Sequence, residues 1–261
     1  MSAVKASVRI FLLGLVSLFI TITQSPVLLI TKGPLAYYIC MLWHIGALKI
    51  FGVKVRVVGK PVTGRQVIYT SNHLSYLDIP LLGSLIRGSF VSRGDVASWP
   101  VIGYLGSLQQ TIYISRNRHD TENGRQAIEK VLSRGNNLII FAEGTSTDGA
   151  AVLPFKSSFF TLAMDNPTGK PLLVQPVTIS LVAVDRRPAY IQDARDSYAW
   201  YGDMTFPPHI WNFAKSRGAE IMVTFHEPRD AADYTDRKQL AQDCYNDVTS
   251  ALNTQSLVKA A

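Results

Sequence analysis

The sequence predicts an α/β fold, a mixed sheet flanked by helices, with an N-terminal membrane-associated helical hairpin. Three observations lead there. Beyond residue 50, short β-branched runs alternate with helical stretches, the rhythm of βα units. Residues 10–31 carry no charge, and residues 37–48 are again uncharged and largely apolar. The 261 residues are 47% hydrophobic and 17% charged, enough for one large core and too apolar for a disordered chain. The chain divides near residue 50, into a 1–50 membrane-associated apolar and basic helical segment and a single 51–261 α/β domain.

The first element is the uncharged run from Ile10 to Thr31, 22 residues and about the length of a membrane-spanning helix. Its apolar character is strongest from Ile10 to Ile20. Thr21, Thr23, Gln24, Ser25 and Pro26 then interrupt it, so a kinked, re-entrant or in-plane segment is an expectation beside a full span. Tyr37–Phe51 follows, with Tyr37, Tyr38 and Trp43 as interfacial aromatics and Lys49 near its end. A turn at Lys32-Gly33-Pro34 would join the two into a hairpin. Lys5 and Arg9 ahead of an apolar run also fit a cleaved signal peptide, which would leave the second apolar stretch without a role. Basic residues flank the first segment on both sides, an absence of bias that suits a segment entering and leaving the same leaflet.

Charge is unevenly placed. Residues 1–77 hold Lys5, Arg9, Lys32, Lys49, Lys54, Arg56, Lys60 and Arg65 and no acid before Asp78, while the chain as a whole carries +7. The whole surplus therefore sits in the N-terminal third, beside apolar sequence, which points to an anionic membrane surface rather than nucleic acid. Cys40 and Cys244 form no C-x-x-C pair, so neither a disulfide framework nor a cysteine metal site is expected.

In the α/β part the expected strands are residues 54–58, 67–70, 89–92, 111–114, 138–141, 173–178 and 221–225. The expected helices are residues 79–86, 100–108, 121–133, 157–164, 209–215 and 237–252. Pro176 is expected to interrupt the sixth strand.

Two constellations could carry chemistry. In Asn72-His73-Leu74-Ser75-Tyr76-Leu77-Asp78, a strand-to-helix turn would let Asp78 fold back onto one imidazole nitrogen of His73, leaving the other free as a base. In Phe141-Ala142-Glu143-Gly144-Thr145-Ser146, an acid and a glycine follow a buried strand, where α/β sheets place ligands. Backbone N–H groups near Gly144 could hold an anion or oxyanion, with Thr145 and Ser146 adding hydroxyls. A P-loop lysine and a G-x-S-x-G elbow are both missing from the sequence. Ile114-Ser115-Arg116 ends a strand in a cation, and Lys156 follows the glutamate turn in Leu153-Pro154-Phe155-Lys156.

The ordered blocks NHLSYLD, WPVIG with IYISR, FAEGTS with LPFK, and VQPV resemble the glycerolipid acyltransferase family, the 1-acylglycerol-3-phosphate acyltransferases and their relatives. The variant EGTSTDG with VLPFKSS is similar to a bacterial branch that includes lyso-ornithine lipid acyltransferases. The resemblance implies that His73 is the general base, that Asp78 orients it, and that Arg116, Glu143, Gly144 and Thr145 hold the acceptor, with Ser146 and Lys156 as further candidates for binding it. Ser146 stands where the family has an arginine, and Ala142 where it has a proline. The implied activity of the 51–261 domain is transfer of a fatty acyl group from acyl-CoA or acyl-carrier protein to the hydroxyl of a lysolipid. The first acceptor expected is 1-acyl-sn-glycerol-3-phosphate, the alternative lyso-ornithine lipid. No cofactor and no metal are implied. The implied location is the inner membrane, with the catalytic domain on its cytoplasmic face. A lipid hydrolase using the same base and a non-catalytic lipid-binding protein are the rival readings.

Overall fold

The computed structural model describes residues 3–114, 121–165, 169 and 172–258. The chain opens with two long helices, α1 (Ala3–Ile30) and α2 (Tyr37–Phe51), joined through a short 3-10 turn at Pro34–Ala36. Strands β1 (Lys54–Val58) and β2 (Val67–Ser71) follow, then α3 (Asp78–Gly83), β3 (Gly88–Arg93), α4 (Ile102–Leu108) and β4 (Ile112–Ile114). The second half runs α5 (Thr121–Leu132), β5 (Asn137–Phe141), α6 (Thr161–Met164), β6 (Leu173–Val184), β7 (Arg187–Pro188), α7 (Gln192–Asp196) and α8 (Phe206–Lys215). It ends with β8 (Ala219–Phe225), β9 (Arg229–Asp230) and α9 (Arg237–Val258).

Among the described residues the strands form one mixed sheet in the order β1-β8-β6-β2-β5-β3-β4, with β7 and β9 paired to β6. The strands from β6 to β4 are mutually parallel, whereas β8 runs antiparallel to β6. This order positions the site. After β2 the chain crosses to β3, leaving a gap that β5 later fills, and after β5 it crosses back over β2 to β6. The carboxyl ends of β2 and β5 are thus adjacent while their connections depart in opposite directions, which opens a crevice between them.

Strand alternation builds two cores. Val67 and Tyr69 of β2 and Ile139 and Phe141 of β5 face a layer that includes Leu81 and Leu82 of α3 and Phe213 of α8. Ile68, Leu138 and Ile140 face the other way, against α5, α6 and α9. The hairpin helices share the first core, through Ala6, Leu48 and Phe51. Near its start α1 is tied to the end of α8, where the Lys5 ammonium donates to the Ser216 carbonyl at 2.8 Å and Arg9 donates to Ala214 at 3.1 Å and Ser216 at 2.8 Å. These cations meet carbonyls that the end of α8 leaves without intrahelical donors. Toward the other end, the buried Gln24 amide donates to Ala36 and to Leu108 at the end of α4. Val4, Val8, Phe11, Leu15, Phe19 and Ile22 line the exposed outer side of α1. By length and composition α1 and the Pro34–Phe51 stretch could each cross a membrane.

Two prolines lie inside regular elements. Pro26 does not end α1, which runs on to Ile30; in the turns before it the Ser25 and Thr23 hydroxyls bond back to the carbonyls of Thr21 and Phe19. Pro176 does not interrupt β6, which spans twelve residues. Its carbonyl accepts the His226 N–H at 3.0 Å, so its nitrogen points to the same side, where β8 has already ended at Phe225 and no ladder bond is lost.

Candidate active site

The loop after β2 carries the first constellation. Asn72 is buried and locks onto β6 in both directions, its amide donating to the Ile179 carbonyl at 2.9 Å and its oxygen accepting the Ile179 N–H at 2.8 Å. That clamp fixes the point from which His73 leaves the sheet. Asp78, at the start of α3, folds back as the spacing predicted, with its Oδ2 2.8 Å from His73 Nδ1. Oδ2 also accepts the N–H groups of Leu74 at 2.6 Å and Ser75 at 2.8 Å, and Oδ1 accepts the Tyr198 hydroxyl at 2.8 Å. Four donors converge on one fully buried carboxylate, which leaves it no freedom to turn away from the imidazole. Because Asp78 accepts, Nδ1 carries the hydrogen and Nε2 presents its lone pair, bonded to nothing among the described residues. The ring stacks on Phe141 with centroids 3.8 Å apart and planes 13° apart. It is thus held on one edge by Asp78 and on one face by Phe141, and its side chain remains 19% exposed.

Glu143 is at the end of β5, 2% exposed. Its Oε1 accepts the His73 N–H at 2.7 Å and its Oε2 the Leu153 N–H at 2.7 Å. The carboxylate therefore joins the His73 loop to the segment after the turn. Burial raises its pKa to about 7, against the lowering effect of these two N–H bonds.

Gly144 turns the chain at φ +71°, a left-handed conformation in which a side chain is strained. The Gly144 N–H is taken by the Phe141 carbonyl at 2.9 Å, whereas the N–H groups of Thr145 and Ser146 meet no acceptor among the described residues. The free N–H groups of this turn are thus the two that follow Gly144. The turn is tied to the His73 loop, with the Thr147 N–H donating to the His73 carbonyl at 3.0 Å. The Lys156 ammonium lies against Gly144, in the place a Cβ would occupy. Replacing Gly144 by alanine is expected to cost about 1 kcal/mol from backbone strain alone and to displace Lys156, measurable by thermal unfolding and by a raised KM for the acceptor. Thr145 is exposed and Ser146 half-buried. Arg116 lies outside the described residues.

The residues of this crevice carry a family pattern. A model of the acyltransferase family matches residues 54–180, from β1 through the first part of β6. The chain is 34% identical to a lyso-ornithine lipid O-acyltransferase of Rhodobacter capsulatus, over 79% of this chain and 73% of that protein. A second lyso-ornithine lipid O-acyltransferase, from Brucella abortus, is 30% identical over 94% of this chain and 97% of its own length. The chain belongs to the acyltransferase family. A 1-acyl-sn-glycerol-3-phosphate acyltransferase of Neisseria gonorrhoeae is also similar, 32% identical over 75% of this chain and 73% of that one. The fold of this acyltransferase is shared with the crystal structure of the 1-acyl-sn-glycerophosphate (LPA) acyltransferase PlsC from Thermotoga maritima. The TM-score is 0.63 at 18% identity, covering 96% of this chain and 98% of that one.

In this acyltransferase two contacts of the His73–Asp78 pair have no local sequence signal. Tyr198 and Phe141 were legible only as apolar or aromatic residues, since Tyr198 reaches Asp78 across 120 positions. Burial, and then the neighbouring Asp78, hold the Tyr198 phenol well above its usual range, so it remains a donor. Tyr198→Phe is expected to lower kcat about tenfold and leave KM for the donor unchanged, because it frees one oxygen of the carboxylate without removing it.

Proposed function

We propose that the protein transfers a fatty acyl group from a soluble thioester, acyl-CoA or acyl-carrier protein, to the free hydroxyl of a lysolipid, using His73 as general base. The observation that carries this is the His73–Asp78 pair at the crevice, with Nε2 open and no serine or cysteine nucleophile bonded to it among the described residues. Nε2 takes the hydroxyl proton as the lysolipid oxygen bonds to the thioester carbonyl carbon, and Asp78 supports the imidazolium. The N–H groups of Thr145 and Ser146 are suited to the oxyanion of the tetrahedral intermediate. As the carbon–sulfur bond breaks, the proton on Nε2 passes to the leaving thiolate, which restores the neutral imidazole and releases the free thiol. Glu143 positions His73 through its backbone, while Gly144, Thr145, Ser146, Lys156 and Arg116 make up the acceptor side.

The acceptor we favour is lyso-ornithine lipid, the one acted on by the Rhodobacter and Brucella relatives by name. Ser146 supports it, because a hydroxyl rather than a fixed guanidinium at this turn suits a zwitterionic head group better than a phosphate dianion. The second reading, 1-acyl-sn-glycerol-3-phosphate, rests on the Lys156 ammonium against Gly144, which could pair with a phosphate, and on the Neisseria relative. A mixture of the two acceptors at equal concentration, with one labelled thioester, decides between them. The favoured reading expects at least tenfold more acyl on the ornithine lipid; the reverse ratio would select the phosphate acceptor.

The domain works at the inner membrane, on the cytoplasmic face, where an acceptor that stays in the bilayer meets a soluble donor. Because α1 is tied to the domain near both of its ends, its outer apolar side is best buried along one leaflet rather than through two. Cysteines placed at Ala3 and Thr31 in an otherwise cysteine-free chain are expected to react with an impermeant thiol reagent from the same side of sealed vesicles. Labelling from opposite sides would instead make α1 a span.

A further inference from the structure

Away from the crevice, three separate segments assemble a cationic cleft. The β6–β7 hairpin turns through Asp185 and Arg186 at φ +53° and +65°, with Val184 paired to Arg187. Neither residue is a glycine, so this left-handed turn is unfavourable and persists only because its surroundings fix it. The fixing contacts are the Asp185 N–H on the Gly218 carbonyl at 2.9 Å and the Arg217 N–H on Asp185 Oδ1 at 2.9 Å. The strained turn brings Arg186 to a cleft that Arg217, Lys54 and the backbone of Gly52 and Gly218 also line. Arg9 reaches the same place, its guanidinium against Gly52.

The balance of charge here is lopsided. Lys5, Arg9, Lys54, Arg56, Arg186 and Arg217 surround two carboxylates, Asp185 and Glu220. Glu220 is shared between Lys54 at 3.5 Å and Arg56 at 3.9 Å, in solvent. The guanidinium groups of Arg186 and Arg217 have no acidic or carbonyl partner among the described residues. The cleft is also remote from the base. Val177 of β6 lies opposite Ser71 of β2, just before His73, and Val184 is seven residues further along the strand, about 23 Å at the rise of an extended chain. What adjoins the cleft is α1: Lys5 and Arg9 lead into it from the same helix turns that expose Val4, Val8 and Phe11.

We propose that this cleft binds the phosphate head groups of anionic phospholipid, and that it sets the end of α1 at the surface of the leaflet that receives its apolar side. The proposal rests on the reading of α1 as lying along a leaflet and is independent of the acceptor. Continuity with that apolar side favours lipid over a soluble anionic partner. It also explains why a strained arginine is retained at the tip of a hairpin.

The full chain is introduced from detergent into equal amounts of two vesicle populations separable by density, one of phosphatidylcholine and one containing 30 mol% phosphatidylglycerol. The wild type is expected to concentrate in the anionic population. Arg186→Gln with Arg217→Gln is expected to cut that preference by about 30-fold, at roughly fivefold per lost cation. Arg186→Lys with Arg217→Lys should keep most of it, since a bilayer surface reads charge rather than guanidinium geometry. Arg217→Gln alone, outside the strained turn, should cost several-fold, and 10 mM inorganic phosphate should not abolish the preference. Equal distribution of the wild type, or an unchanged ratio in the double glutamine variant, overturns the proposal. An unchanged ratio with a raised KM for the acyl-carrier protein or acyl-CoA would place the donor in the cleft and overturn it equally. Failure of the wild type to enter either population would speak against the leaflet reading of α1, whereas entry with no preference speaks against the cleft.

Discussion

Replacing His73 by alanine is expected to lower kcat by about 10³-fold or more, with little change in KM for either substrate and none in folding. General-base catalysis accounts for about 10²- to 10⁴-fold in enzymes of known mechanism, and among the described residues no second base stands at Nε2 to take over. The side chain is partly exposed and makes one side-chain hydrogen bond, so its removal costs little packing. Asp78→Asn is expected to be as harmful by another route. The amide nitrogen must face either the Tyr198 hydroxyl, which then has to turn and accept, or the Leu74 and Ser75 N–H groups and His73 Nδ1–H, which it opposes, and in both orientations the imidazolium loses its anionic partner. Stopped-flow or single-turnover transfer on both variants, with circular dichroism to confirm the fold, checks the pair. Activity within tenfold of wild type in His73→Ala would remove the base from the mechanism.

The largest effect on stability is expected at Glu143. Truncation to alanine strands two buried N–H groups, those of His73 and Leu153, at about 1–3 kcal/mol each, so Glu143→Ala should lose roughly 2–5 kcal/mol and release the His73 loop from the turn. Thermal unfolding measures the first, and a fall in kcat of about 10²-fold reports the second. Glu143 also ties stability to pH. Its folded pKa is raised to about 7 by burial, so the unfolded chain gives up this proton near pH 4.5 while the folded chain keeps it. The stability it contributes is fully present below about pH 4.5 and is lost as pH rises through about 7. Glu143→Gln lacks this dependence, so the stability difference between wild type and variant should shrink with rising pH across that window, by at most about 1.4 kcal/mol per pH unit. A difference that is flat from pH 4.5 to 7 would mean that the carboxyl ionises normally.

Local contacts were legible in the sequence and distant ones were not. His73 and Asp78 are five positions apart, and a strand-to-helix turn brings them together whatever the rest of the fold does. The hairpin was legible for the same reason, because its apolar runs and its Gly33-Pro34 turn are consecutive. Glu143 was visible as a residue at the end of a buried strand, but its role on the His73 backbone depends on β5 inserting beside β2, a crossover that no local pattern encodes. Tyr198 reaches the site only because the segment after β6 folds back over the crevice, where the Trp200 N–H donates to the Leu74 carbonyl at 2.8 Å. Pro26 and Pro176 carried breaker signals, yet α1 runs on through the first, and at the second the end of β8 leaves no ladder bond to lose. The cationic cleft was beyond reach from sequence, since Arg186 and Arg217 lie in stretches with no net excess of basic charge and meet Lys5 and Arg9 only in the folded chain.

The most direct test of the account is transfer of a labelled acyl group from a thioester to lysolipid in vesicles, with wild type and His73→Ala compared under the same conditions. Formation of the diacyl product together with one free thiol per ester, lost on replacing His73, is the predicted result. Product formed equally by both proteins, or thioester hydrolysed to free fatty acid with no ester made, would contradict it.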